Sequence, residues 1–95
     1  MTTKRKLIRV TQNHILRGEK YNNASCPVAL AANEALSTGK LIQPNHVRIF
    51  SDTYRLRDDA SYSRRRLSAK AEKFIALFDF GLAVEPFNFY LSVPA

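Results

Sequence analysis

Between Ser68 and Gly81 the residues Ala71, Phe74, Ile75 and Phe78 fall at i, i+3, i+4 and i+7, which is one stripe of an α-helix. Such an aromatic stripe is stable only if another element covers it. The next stretch supplies a partner, because Phe87, Phe89 and Leu91 alternate with Asn88 and Tyr90 in the period of a half-buried strand. Helix and strand are therefore expected to share one apolar layer. Ser68 is placed to cap the helix and Gly81 to end it. Pro86 has no N–H for a ladder, so it belongs at the strand's start or on an edge.

A second helix is expected after Ser25, a good N-cap, with Pro27 in the first turn, where its missing N–H costs nothing, and Gly39 as the stop. Val28, Ala31, Ala32 and Ala35 repeat at helical spacing, and Asn33 and Glu34 mark its wet side. Upstream, Leu7 to Val10 is β-prone, and Thr11 caps a brief helix carrying His14 that Gly18 stops. Asn22 and Asn23 lie in a polar loop and are candidates for unusual backbone angles. His46 to Phe50 and Thr53 to Arg57 read as two strands joined by a tight turn at Ser51-Asp52. Alternation puts Val47, Ile49, Tyr54 and Leu56 on an apolar face and Arg48, Arg55 and Arg57 on a basic one. Asp58 to Arg66 reads as a polar loop ending in three arginines.

These elements make an α+β fold: about four short, mostly antiparallel strands with two main helices packed on one face. Ninety-five residues suit a single domain spanning 1–95, in which residues 1–6 alone have the composition of a disordered basic tail. No apolar run approaches the ~20 residues of a membrane span, and no secretory h-region follows the basic start. With one cysteine in the chain there is no internal disulfide, and a cytosolic protein is expected.

Fifteen Lys and Arg against eight Asp and Glu give a net charge of +7, a field that attracts phosphates or acidic partners. The charge concentrates at Arg48, Arg55, Arg57 and Arg64, Arg65 and Arg66, with Tyr54 and Tyr62 among them. Arginine grips phosphate in a fork and tyrosine offers a stacking face, so this set is the candidate phosphate-binding surface. A solvated basic face is the plainer alternative. A second anion site is conceivable at the start of the Ser25 helix, from Arg17, Lys20, Asn22, Asn23 and Ser25; capping is the ordinary use of the last two. Tyr90 falls opposite Phe89 by alternation, toward an interaction surface or subunit contact.

Cys26 sits where a helix dipole lowers a thiol's pKa. A nucleophile also needs a base, and His14 and His46 are the histidines available. A buried packing role for Cys26 is the ordinary alternative. One cysteine and two distant histidines make no metal cluster. No catalytic set, metal or cofactor is expected.

Three segments together resemble a family of small, uncharacterised phage, prophage and bacterial proteins: Thr11, His14, Ile15 and Gly18; then Cys26-Pro27-Val28-Ala29-Leu30-Ala31; then Phe74-Ile75, Phe78-Asp79, Gly81, Val84 and Pro86-Phe87-Asn88-Phe89. The resemblance covers nearly the whole chain except residues 40–66, where the arginines lie. It implies no activity of its own, marks His14 and Cys26 as positions to test, and suggests by analogy an accessory or counter-defence factor that binds a host component.

Sequence thus points to a non-enzymatic basic module holding nucleic acid or a small nucleotide, without a membrane and with a homo-oligomer open. The alternatives are an inhibitor of an acidic host protein, using the same face, and an enzyme built on Cys26 and His14.

Overall fold

A computed structural model describes the backbone of residues 3–36, 47–57 and 62–94, and the side chains of these except 3–4, 56–57, 62–64 and 93–94. The described elements run β1 (Thr3–Val10), α1 (Gln12–Arg17), α2 (Pro27–Leu36), β2 (Val47–Ile49), β3 (Thr53–Arg57), β4 (Tyr62–Arg66), α3 (Ala69–Asp79) and β5 (Phe87–Pro94). The fold is α+β, with five strands among the described residues rather than four. They form two antiparallel sheets, β1-β5 and β2-β3-β4. The extra strand is β4: the segment read as a loop pairs from Tyr62 to Arg66 along the whole of β3. Cross-strand hydrogen bonding, which local polarity does not report, decides this.

Residues 3–6 are not a loose tail, because they extend β1 and pair with β5 in register from Thr3↔Pro94 to Val10↔Phe87. Pro86 stands just before β5, where a ladder does not need its N–H. The helix-to-strand layer forms as the spacing dictates. Phe74 stacks on Phe87 at 4.7 Å between ring centroids and on Phe78 at 6.1 Å, and Phe87 continues to Phe89 at 5.6 Å. Ile8, Val10, Val28, Val47 and Leu91 are fully buried in the same core.

Ser68 caps α3 by accepting from the Ala71 N–H. At its other end Gly81 takes φ +78; its N–H donates to the Phe78 carbonyl while Leu82 N–H reaches back to Leu77, a Schellman ending. Thr11 caps α1 in a capping box whose third position is His14. Gly18 closes that helix against the next, since a Cβ there would overlap the Pro27 ring.

Two local expectations change. The residue with a positive φ in the 19–24 loop is Tyr21, at +57, not Asn22 or Asn23; its N–H donates to Asp79 Oδ1 at 3.0 Å, which holds the turn to the end of α3. Ser25 is not the cap of α2. The helix begins at Pro27, and Cys26 accepts the Ala29 N–H on its sulfur at 3.4 Å. The expected stop, Gly39, lies outside the described residues, as does His46.

Asn33 is not on a wet side. Its Oδ1 accepts from Val47 N–H at 2.7 Å, and its Nδ2 donates to the Val47 carbonyl at 3.0 Å and to the Ala29 carbonyl at 2.9 Å. One amide side chain thereby closes the free edge of β2 and ties it to α2, with Ile49 N–H donating to the Asn23 carbonyl beyond it.

Candidate polyanion-binding face

Strand alternation in β2 and β3 produces the expected pair of faces. Val47, Ile49 and Tyr54 are buried, while Arg48 is exposed and Arg55 half-buried on the opposite side. The register then adds what a single strand cannot show. Arg48 stands opposite Arg55, Arg55 stands opposite Arg64, and the exposed Arg66 stands opposite Thr53 in the neighbouring rung. Three arginine positions thus cross the sheet in one row, spanning roughly 10 Å at about 4.8 Å per strand.

Like charges placed directly opposite across strands are destabilising unless a counter-charge relieves them. At the centre of the row the Arg55 guanidinium lies over the Phe50 ring at 5.6 Å from the centroid, and at its β2 end Arg48 Nη1 donates to Asn23 Oδ1 at 3.4 Å.

Not all the expected residues join the row. Arg65 stands opposite Tyr54, one residue out of phase with Arg64 and Arg66, so the pleat assigns it to the apolar face. It is half-buried there, and its Nε is buried without a hydrogen-bond partner. Tyr54 is 2% exposed, and its hydroxyl is bonded to the Ser92 backbone, so it is a core residue and no stacking platform. Arg57 and Tyr62 are register partners at the far end of β3 and β4; their side chains, like that of Arg64, lie outside the described set.

The second anion site does not assemble. Arg17 turns to Asn13 Oδ1 at 2.9 Å and toward Glu34 at 4.0 Å. The Lys20 ammonium lies against Gly81 at the end of α3, where a cation suits the helix dipole. Asn22 Oδ1 accepts from the N–H groups of Ala24 and Ser25, which uses its acceptor locally. The cleft beside these residues, about 240 Å³, is lined by Asp79 and, among the described residues, by no lysine or arginine.

Nor do His14 and Cys26 meet as base and nucleophile. His14 is 3% exposed; its Nδ1 accepts the Thr11 N–H at 2.9 Å, so Nε2 carries the proton and donates to Glu34 Oε2 at 3.0 Å. Both ring nitrogens are committed to structure. Cys26 is 4% exposed, and burial pushes its thiol up from the ordinary 9.0, with Asp79 adding to the rise. The N–H groups of Ala29 and Val28 at its sulfur act the other way and do not prevail. The dipole effect expected from sequence is thus outweighed by desolvation.

Among the described residues no group of three His, Cys, Asp or Glu is arranged to hold a metal ion, and no helix is long and apolar enough to cross a membrane. No family model, curated protein or solved structure matches the chain.

Proposed function

We propose that this protein is a small, non-enzymatic binding module that holds a phosphate-bearing ligand, nucleic acid or nucleotide, on the exposed face of β2-β3-β4. The observation that carries the reading is the row Arg48-Arg55-Arg64, flanked by Arg66. A row of like charges opposed across neighbouring strands is relieved by a counter-anion, and arginine meets phosphate with two parallel N–H donors. An open sheet face suits an extended strand of phosphates better than a single enclosed nucleotide. This role agrees with the accessory character that the motif resemblance suggests.

Fluorescence anisotropy with a labelled single-stranded oligonucleotide, repeated with a labelled nucleoside diphosphate, tests it. About four arginine contacts to a single strand predict a log–log salt slope of about −3. Tight binding of the diphosphate with weak binding of the oligonucleotide would make the ligand a small nucleotide. A flat salt response, or no binding of either, would overturn the phosphate reading.

A further inference from the structure

The eight-residue strand β1 is paired on one side. Its hydrogen-bonding phase follows from Ser92. The Ser92 N–H donates to the Tyr54 hydroxyl at 3.0 Å, so it is turned away from β1, and Ser92 is the register partner of Arg5. Antiparallel pairs alternate between those that exchange both backbone bonds and those that exchange none. Arg5↔Ser92 is of the second kind, and by alternation so are Leu7↔Tyr90 and Arg9↔Asn88. The N–H and C=O groups of Arg5, Leu7 and Arg9 therefore point out of the sheet on the side away from β5. Among the described residues they have no hydrogen-bond partner there.

That edge opens onto a groove of about 280 Å³ between β1 and α2, lined by Lys6, Leu7 and Arg9 on one wall and Ala31, Glu34 and Ala35 on the other. Alanines on the helix wall leave room for an added backbone. Arg5, Lys6 and Arg9 are all exposed, while Glu34, the acidic group of the groove, is engaged by His14 Nε2 and Arg17.

We propose that this groove takes an extended acidic segment of a partner protein, which adds to the open edge of β1 as a third strand of the β1-β5 sheet. Backbone groups of Arg5, Leu7 and Arg9 supply the ladder, and Arg5, Lys6 and Arg9 select for Asp and Glu. A second copy of this chain is disfavoured as the occupant. Pairing β1 with β1 would set the same cations against one another, the arrangement by which edge strands resist self-association. An eight-residue strand offers roughly 27 Å of ladder, the length of an octapeptide. The site is separate from the arginine row of β2-β3-β4 and does not depend on it.

The probe is an alternating glutamate–valine octapeptide, added to the full chain and followed by amide hydrogen exchange in nuclear magnetic resonance. The expected result is that exchange at Arg5, Leu7 and Arg9 slows by about tenfold or more on saturation, while Lys6 and Ile8, already bonded to β5, change little. Arg9→Glu should weaken the peptide by about tenfold. Leu7→Pro removes an N–H that β5 does not use, so it should retain the fold and lose the peptide; Arg9→Glu covers the case in which the proline variant fails to fold. No binding at millimolar peptide, or binding that leaves those three amides unchanged, overturns the proposal. So does protection of the same amides without peptide in a concentration-dependent dimer.

Discussion

The Tyr54 hydroxyl donates to the Ser92 carbonyl at 2.9 Å and accepts the Ser92 N–H at 3.0 Å, so one side chain from β3 pairs both backbone groups on the edge of β5. This contact joins the two sheets in place of a ladder. It also explains why a tyrosine rather than a phenylalanine stands at a core position of a strand whose other face is basic.

Tyr54→Phe keeps the ring and removes the hydroxyl, leaving the Ser92 N–H and C=O without their partner. Stability should fall by about 1–3 kcal/mol, read from urea unfolding, with little change in the dependence on denaturant. A loss of only a few tenths would show that water replaces the hydroxyl at this half-buried edge.

Asn33→Asp is nearly isosteric, so it isolates the hydrogen bonds from packing. The carboxylate still accepts the Val47 N–H but faces the carbonyls of Val47 and Ala29 with no donor. A loss of about 2–3 kcal/mol is expected at neutral pH. Acid should restore part of it, because a protonated carboxyl can donate again. Chemical denaturation of both proteins across the acid range checks this; equal losses at every pH would mean that the amide's donor bonds contribute little.

For Cys26 the sign follows from its raised pKa. The folded state holds the thiol proton more tightly than the unfolded chain, so this group's contribution is fully present below the ordinary 9.0 and is lost as pH rises through the folded value. Stability should decline on the alkaline side, and the decline should be shallower in Cys26→Ala, as thermal melts over that range would show. Iodoacetamide should label Cys26 at a rate limited by unfolding. Rapid labelling of the native protein near neutral pH would restore the case for a reactive thiol.

Arg65 and Arg66 are neighbours in sequence and opposites in the sheet. Arg66→Ala should weaken oligonucleotide binding by about threefold to tenfold and reduce the salt slope by about 0.7, the share of one phosphate contact to a single strand. Arg65→Met should leave binding unchanged; since it removes a buried donor that has no partner, stability should hold or rise slightly. Equal binding losses in both variants would mean that the pleat does not sort these residues. Anisotropy titrations and melts of the two variants, measured side by side, give the comparison.

Local patterns carried most of the secondary structure. The helical stripe ending at Phe78, the Ser68 and Thr11 caps, the Gly81 stop and the 47–57 hairpin all rest on residues within a turn or two of one another, so they were legible. The third strand of the hairpin sheet is not legible in sequence, because Tyr62 to Arg66 has the composition of a loop and becomes a strand only through β3. Asn33 and Tyr54 depart from local expectation for a related reason: helical position marks one as wet, and neighbouring arginines mark the other as a binding residue, whereas each is held by a backbone partner far along the chain.

By itself, then, the sequence determined an α+β domain, its main helices, the apolar and basic sides of the 47–57 hairpin and a surplus of positive charge, because periodicity and capping act over a few residues. The tertiary structure decided which arginines share a row, that His14 and Cys26 are structural partners of other groups, and that among the described residues one edge of β1 carries no further strand beside α2. Those outcomes depend on strand register and on hydrogen bonds between residues as far apart as Tyr54 and Ser92, and no local pattern encodes them.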